Sequence, residues 1–253
     1  MDLGLADRVY VVTGGTSGLG RASAEALVAD GARAVVSSRD PDRVAAVAEA
    51  LGGADHAVGL VADLADPTAA DRLVEAATST YGRLDGALLS VGGPPPGPVT
   101  DIDDEAWRTA FESVFLGQLR AARAVAAAVG DGGSILLVLS SSVRSPIAGL
   151  AVSNGLRPGL AMVAKTLADE LGPQGIRVNG LMPGRIATAR TRQLDASGGD
   201  EQAARARSEA MIPLRRYGDP VEFGRVAAFL LSPAASYLTG VMLAVDGGLA
   251  RSL

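Results

Sequence analysis

Three glycines between the first apolar run and the first amphipathic stretch constrain the fold more than any other feature of the sequence. Residues 8–12 predict a buried strand, and the chain then passes through Gly14, Gly18 and Gly20 into a stretch of helical spacing. Gly14 permits a sharp turn, Gly18 lets the backbone approach a bound anion, and Gly20 lets the helix pack closely on the strand. The amino terminus of a helix offers free N–H groups and the positive end of its dipole. This loop therefore predicts a binding site for a phosphate group.

Short apolar runs alternate with longer amphipathic stretches along the whole chain. Strands are predicted at 8–12, 33–37, 57–61, 84–90, 134–139, 176–181 and 241–245. Helices are predicted at 19–30, 41–51, 67–81, 103–129, 156–171 and 221–231. This alternation, with continuous apolar strands, is typical of a parallel sheet covered on both faces. We predict an α/β fold: a Rossmann-type doubly wound parallel sheet of about seven strands with helices on both faces.

No linker or internal repeat divides the sequence, so we expect residues 1–253 to form a single dinucleotide-binding domain. The segment 189–210 is polar, small and charged. It has two interpretations, a substrate lid at about 189–215 or a pair of solvated surface helices.

Composition excludes several classes of function. The chain has no cysteine, which excludes disulfides and thiolate chemistry, and its single His56 argues against a histidine-rich metal site, so no metal is predicted. A net charge of −5 argues against a nucleic-acid-binding surface. No apolar run is long enough to span a membrane, and residues 1–5 do not resemble a signal peptide. We expect a cytoplasmic protein that acts on a small molecule and binds neither nucleic acid nor membrane.

Several motifs give the chain a resemblance to the short-chain dehydrogenase/reductase (SDR) family over nearly its whole length. The motifs are the glycine loop Thr13 to Gly20, Asp63, Gly175 to Asn179, Pro183-Gly184 with Thr188, Ile212 to Pro220, Tyr237 to Gly240, and Val245 to Gly248. The resemblance implies an oxidoreductase that uses NAD(P)(H). It also implies a homo-oligomer, a tetramer or a dimer, joined through the helices at 103–129 and 156–171 and the last strand.

The resemblance also implies which residues hold the cofactor. They are Gly14, Thr16, Ser17, Gly18, Leu19, Gly20, Ser38, Arg39, Asp63, Leu64, Ser90, Gly92, Arg157, Pro183, Gly184, Ile186 and Thr188. An acid at the end of the second strand would bond the ribose 2′-hydroxyl and repel a 2′-phosphate. Ser38 and Arg39 stand there instead, and a hydroxyl with a guanidinium suits a phosphate. We therefore favour NADP(H) over NAD(H); the alternative is that Arg39 stacks on the adenine or lies in solvent.

The match breaks at the catalytic positions. Family members reduce carbonyls with an Asn, a Ser, a Tyr and a Lys. Alignment from the flanking motifs places the Asn, Tyr and Lys roles at Val114, Ser153 and Arg157, and the Ser role within Ser140 to Ser142, where Ser140 is preferred. A register that uses Lys165 puts an alanine at the tyrosine position, so it does not restore the pair. We therefore predict Ser140, Ser153 and Arg157 as the catalytic residues.

The substitutions remove the usual proton donor. A serine hydroxyl is far less acidic than a tyrosine, and an arginine cannot give up a proton as a lysine can. Hydride transfer itself belongs to the cofactor. The first hypothesis is an NAD(P)(H)-dependent oxidoreductase that reduces a carbonyl or conjugated carbonyl of a mostly apolar small molecule, with water or a substrate group held by Ser140 and Ser153 as proton source. The alternatives are a non-redox dehydratase, cyclase or isomerase on the same scaffold, and a dinucleotide-binding regulator without turnover.

Overall fold

Seven strands form one sheet in the part of the chain that the computed structural model describes, residues 2–197 and 199–252. The strands are β1 (Val9–Thr13), β2 (Arg33–Ser38), β3 (Ala57–Val61), β4 (Gly86–Leu89), β5 (Ser134–Val138), β6 (Arg177–Pro183) and β7 (Met242–Val245). Their order is β3-β2-β1-β4-β5-β6-β7, and all neighbours are parallel. The predicted doubly wound parallel sheet is confirmed.

Helices connect the strands. They are α1 (Gly18–Ala29), α2 (Pro41–Ala50), α3 (Ala69–Tyr81), α4 (Asp104–Ala110), α5 (Gly117–Ala128), α6 (Ala151–Leu171), α7 (Ala189–Ala196), α8 (Glu201–Met211) and α9 (Pro220–Leu231). The stretch predicted as one helix at 103–129 is present as α4 and α5 with a π-helical turn (Phe111–Leu116) between them. Among the described residues, no helix is long and apolar enough to cross a membrane.

Adjacent strand residues face opposite sides of the sheet, which explains the continuous apolar runs. In β4, Leu88 packs into a buried cluster that includes Phe223 of α9. Its neighbour Leu89 packs into a second cluster that includes Leu160 of α6. Small residues let the helices approach closely, because a Cβ atom on Gly224 would lie 2.3 Å from the carbonyl oxygen of Ala22 in α1. Both faces of the sheet are therefore covered.

The strand order reverses between β1 and β4, and a pair of hydrogen bonds joins the ends of these two strands. Thr13 Oγ1 donates to the carbonyl oxygen of Ser90 at 2.7 Å and accepts from the Ser90 N–H at 2.8 Å. In open α/β sheets, ligands bind in the crevice beyond the carboxyl ends of the strands at such a reversal. Thr13 and Ser90 fix the floor of that crevice.

Candidate active site

A cleft of about 1430 Å³ opens at the carboxyl ends of the strands. All of the residues predicted to hold the cofactor line it, and so do Ser140 and Ser153. These residues come from distant parts of the sequence, and the fold brings them to one cavity.

The glycine loop leads into α1 without a side-chain cap. Ser17 precedes the helix but its side chain makes no capping bond, and the first turn contains no acid. Gly14 and Gly18 have φ angles of +59° and +51°, which favour glycine. A Cβ atom on Gly20 would lie 2.3 Å from the Gly14 carbonyl oxygen, so only glycine fits there. The first N–H groups of α1 are therefore left for a ligand, and a phosphate fits them.

Ser38 and Arg39 lie at the end of the cleft formed by β2. Arg39 is exposed. The next residue, Asp40, forms an ion pair with Arg43. Asp40 Oδ1 accepts from the Arg43 N–H at 3.1 Å, and its Oδ2 lies 3.0 Å from Arg43 Nε. Sequence reasoning missed Arg43, although an N-cap aspartate three residues before an arginine is a readable signal. The ion pair offsets the negative charge of the residue that follows Arg39. Nearby, the Asp63 carboxylate accepts from the Ala65 N–H at 3.0 Å.

The segment after β6 forms the wall of the cleft that faces the glycine loop. Thr188 caps α7 by accepting from the Thr191 N–H at 3.2 Å. A Cβ atom on Gly18 would lie 3.5 Å from Thr188 Cγ2, so this segment closes against the glycine loop. Ile186 is paired with Gly218 in an isolated bridge, which ties the wall to the chain after α8.

Three serines meet at the end of β5. Ser140 accepts a hydrogen bond on its Oγ from the Ser142 N–H at 3.1 Å. The Oγ atoms of Ser142 and Ser153 are 3.2 Å apart, and Ser153 is only 7% exposed. The helix α6 begins at Ala151, five residues before its predicted start, and this places Ser153 on its first turn. Sequence reasoning preferred Ser140 within the triplet Ser140 to Ser142 and did not predict that the buried Ser142 contacts Ser153.

Arg157 follows Ser153 by one helical turn and is buried, with 5% of its surface exposed. Its Nη1 donates to the carbonyl oxygen of Val138 at the end of β5. No carboxylate of the described chain lies within 4.0 Å of its guanidinium. Burial lowers the pKa of Arg157 from its ordinary value to about 10. A buried cation without an acidic partner stabilises negative charge or a polar oxygen placed beside it.

The position aligned with the family asparagine lies in the π-helical turn. Val114 is buried and contributes an apolar surface to the cleft. Its carbonyl oxygen accepts from Gln118 Nε2 at 3.0 Å, and Gln118 Oε1 is buried without a hydrogen-bond partner in the described residues. No polar side chain therefore enters the cleft from position 114.

Neither tyrosine nor lysine is found among the described residues that line the cleft. Tyr10 is in the core and donates to the Leu231 carbonyl, and Tyr237 is fully exposed. Lys165 Nζ donates to the Gly240 carbonyl oxygen at 3.2 Å on the outer side of α6. The chemical groups available at the centre of the cleft are hydroxyls and a guanidinium.

The segment predicted as a lid or as surface helices contains α7 and α8. Asp195 of α7 is buried; its carboxylate lies 3.0 Å from Arg185 Nη1 and accepts from the Tyr217 hydroxyl at 2.9 Å. Arg190, which sequence reasoning missed, donates from Nη2 to the Pro94 carbonyl oxygen at 2.6 Å. Both helices contribute residues to the cleft wall. The segment is thus helical and also covers the cleft; whether it moves as a lid stays a prediction.

Comparison with known proteins agrees with this architecture. The family model described as enoyl-(acyl carrier protein) reductase matches residues 14–250. Human dehydrogenase/reductase SDR family member 4 is 34% identical over 96% of this chain and 88% of its own length. An oxidoreductase of Mycobacterium tuberculosis is 37% identical over 98% of this chain and 94% of its own. The structure of L-sorbose reductase from Gluconobacter frateurii, complexed with NADPH and L-sorbose, has a TM-score of 0.92 at 30% identity and covers 100% of both chains.

Fold, cleft and relatives together define an NAD(P)-dependent oxidoreductase. The chain belongs to the short-chain dehydrogenase/reductase family.

Proposed function

We propose that this protein reduces a carbonyl or conjugated carbonyl of a small, mostly apolar molecule and that NADP(H) supplies the hydride. The observation that carries the proposal is the continuity of the cleft, which runs from the glycine loop to Ser140, Ser153 and Arg157. The bound nicotinamide supplies the hydride chemistry. The chain itself binds the cofactor, holds the substrate oxygen and places charge beside it.

The cofactor site is assigned from the residues that line the cleft. The uncapped start of α1 holds the phosphates, and Asp63 and Leu64 hold the adenine. Arg157 holds a ribose, and the segment from Pro183 to Thr188 holds the nicotinamide with Ser90 and Gly92. A Cβ atom on Gly92 would meet nothing within 4 Å, which leaves room for a ligand there.

A preference for NADP(H) is supported by the charges at the end of β2. Ser38 and Arg39 offer a hydroxyl and a guanidinium, both suited to a 2′-phosphate. Asp40 would repel that phosphate, but Arg43 neutralises it. The NADPH named for the sorbose reductase complex is consistent with this preference.

The substrate oxygen is held by hydroxyl groups. Ser140 accepts from a backbone N–H through Oγ, so its own O–H remains free to donate. Ser153 contributes a second hydroxyl and Arg157 a positive charge, and together they stabilise negative charge that develops on the oxygen. Neither a serine hydroxyl nor an arginine guanidinium is a good acid. The proton therefore comes from water or from a substrate group held by the two serines.

The oxidation of NADPH in the presence of a panel of ketones, quinones and enones tests this function. We expect binding of NADPH, seen by its fluorescence, and oxidation with at least one class of acceptor. Lack of NADPH binding contradicts the cofactor assignment. NADPH binding without reduction of any acceptor contradicts the proposed reaction. Full activity in the double variant Ser140→Ala, Ser153→Ala would contradict the assignment of these two serines as substrate-binding groups.

We also propose that the protein forms a homo-oligomer, a dimer or a tetramer, through α4 and α5, α6 and β7. Large apolar side chains are exposed on these elements and on the π-helical turn between α4 and α5: Phe111 of that turn is 40% exposed, Met162 of α6 69% and Leu243 of β7 37%. Exposed apolar residues on adjoining elements favour association. Light scattering of the native protein and of Met162→Asp measures the oligomeric state, and a monomer in both samples would contradict the proposal.

A further inference from the structure

The arginines that line the cleft differ in whether a carboxylate neutralises them. Arg43 pairs with Asp40 at 3.0 Å, and Arg185 pairs with Asp195 at 3.0 Å. Arg190 has no carboxylate within 4.0 Å in the described ranges. It lies on α7, in the wall of the cleft that faces the loop 92–98. Its charge is therefore not explained by pairing with a described carboxylate.

Arg190 is nonetheless held in one place. Its Nη2 donates to the Pro94 carbonyl at 2.6 Å, and its Nη1 donates to Gln193 Oε1 at 3.1 Å. A Cβ atom on Gly93 would lie 2.8 Å from Arg190 Nε, so the guanidinium packs directly on a glycine of the loop. The side chain is partly buried between α7 and this loop. Its position is fixed by contacts with two separate segments.

These contacts leave the guanidinium incompletely satisfied. A guanidinium carries five N–H donors, and the described chain accepts from two of them, through neutral oxygens. Partial burial removes water from the cation and lowers the pKa of Arg190. The first turn of α7 is also an unfavourable place for a cation, because the helix dipole is positive there. An anion bound in the cleft would relieve all three of these costs.

The loop that contacts Arg190 also contacts the start of α6. Gly97 donates its N–H to the Gly149 carbonyl at 2.7 Å and accepts from the Ala151 N–H at 3.1 Å, at the start of α6. Ser153 lies on that same helical turn. The loop 92–98 therefore connects Arg190 to the hydroxyl groups at the centre of the cleft. The cleft leaves a path along this loop from Ser153 to Arg190, since both residues line it.

We infer that Arg190 binds a carboxylate of the substrate, so that the substrate is an oxo acid with an apolar body rather than a neutral ketone. A carboxylate matches a guanidinium by accepting two parallel hydrogen bonds. This inference names the substrate class for the proposed reductase and rests on that function. Arg190 is a specificity residue here, because the hydroxyls that hold the carbonyl lie elsewhere.

The test compares acids with their esters. The probes are 2-, 4- and 7-oxooctanoate and their methyl esters, which vary the spacing between carbonyl and carboxylate. Calorimetry measures their binding to the NADPH-loaded and the cofactor-free protein. We expect at least one acid to bind about tenfold more tightly than its ester, as a charge-assisted pair should. Arg190→Gln should abolish this preference, and Arg190→Lys should retain part of it.

Arg192→Gln is the matched control, because Arg192 is exposed on the same helix and does not line the cleft. It should keep the full preference for the acid. Equal binding of every acid and its ester by the native protein overturns the inference, and so does an equal loss in Arg192→Gln. Weaker NADPH binding in Arg190→Gln, with the acid preference intact, overturns it by assigning Arg190 to the cofactor phosphates. Failure of the native protein to bind NADPH contradicts the proposed function instead, and the cofactor-free titrations still decide the role of Arg190.

Discussion

The side-chain oxygens of Ser142 and Ser153 lie 3.2 Å apart, and Ser142 Oγ is also 3.4 Å from the Ser153 carbonyl oxygen. Each hydroxyl has a single proton to donate. If Ser142 donates to Ser153 Oγ, the Ser153 proton is free to point into the cleft. If Ser142 donates to the carbonyl, Ser153 can donate back to Ser142. The orientation of the buried Ser142 hydroxyl therefore decides whether Ser142 competes with other acceptors for the Ser153 proton.

Ser153 is proposed to donate to the substrate oxygen, and replacing it by alanine tests this role. We expect Ser153→Ala to lower kcat/KM by about 10- to 100-fold, the effect of losing one hydrogen bond to a developing charge. Steady-state NADPH oxidation measures it. Ser145→Ala, at an exposed serine outside the cleft, should be unaffected. An unchanged kcat/KM in Ser153→Ala would show that Ser153 does not contact the reacting oxygen.

A tyrosine and a lysine at positions 153 and 157 should restore an ordinary proton donor. A tyrosine has a pKa of about 10, which a neighbouring cation lowers towards neutrality. We expect the double variant Ser153→Tyr, Arg157→Lys to reduce simple neutral ketones faster than the native protein does. Ser153→Tyr alone is the control for the effect of size. Equal ketone rates in the native protein and the double variant would mean that the proton donor is not what limits the reaction.

Local sequence patterns predicted the strands and the glycine loop because both depend on neighbouring residues. The start of α6 was predicted at Leu156 and lies at Ala151. Nothing in the sequence marks that start, since Leu150 makes no side-chain cap. Contacts with the preceding loop stabilise it instead: Asn154 accepts from the Ile147 N–H at 3.0 Å and donates to its carbonyl at 2.8 Å. Such reciprocal bonds can be recognised only once the loop conformation is known.

Two contacts at the site could not be predicted from the local sequence. Arg190 acts on Pro94, 96 positions away, and Ser142 acts on Ser153 across a turn of irregular backbone. A family motif supplies positions along the sequence, but it does not tell which distant side chains and backbone groups those positions contact. The positions of Ser153 and Arg157 were accessible by alignment. The alignment did not show that none of the described carboxylates lies beside Arg157.

Arg39 should set the cofactor preference. We expect Arg39→Ala to weaken NADPH binding by about 10- to 100-fold, because a charge-assisted contact to the 2′-phosphate is lost, and to leave NADH binding nearly unchanged. Fluorescence titration with both cofactors measures the ratio. Arg21→Ala removes an exposed guanidinium that is paired with Glu25 on α1, and it should change neither affinity. A parallel loss of NADH and NADPH binding would instead indicate that Arg39 stacks on the adenine.

Tyr217 should stabilise the segment that covers the cleft. Its hydroxyl donates to the buried Asp195 carboxylate at 2.9 Å, and Arg185 neutralises the same carboxylate. We expect Tyr217→Phe to lower the free energy of unfolding by about 1.5–3 kcal/mol, as for a lost bond to a charged acceptor. Chemical denaturation measures the change. Tyr237→Phe removes a hydroxyl from a fully exposed tyrosine and should have no effect, so equal effects would contradict the role of the buried bond.

Glu222 should make stability depend on pH in the acid range. It accepts from Arg216 through both oxygens at 2.7 Å and from the Asp219 N–H at 2.7 Å, and these bonds lower its pKa from 4.5 to about 2. Between these values the unfolded chain binds more protons than the folded one, so this contribution is present above pH 4.5 and is lost as the pH falls towards 2. Denaturation across this range should therefore show a shallower loss of stability in Glu222→Gln than in the native protein. Glu25→Gln, which breaks an exposed pair without a capping bond, should keep the native slope, and parallel curves for all three proteins would contradict the assignment.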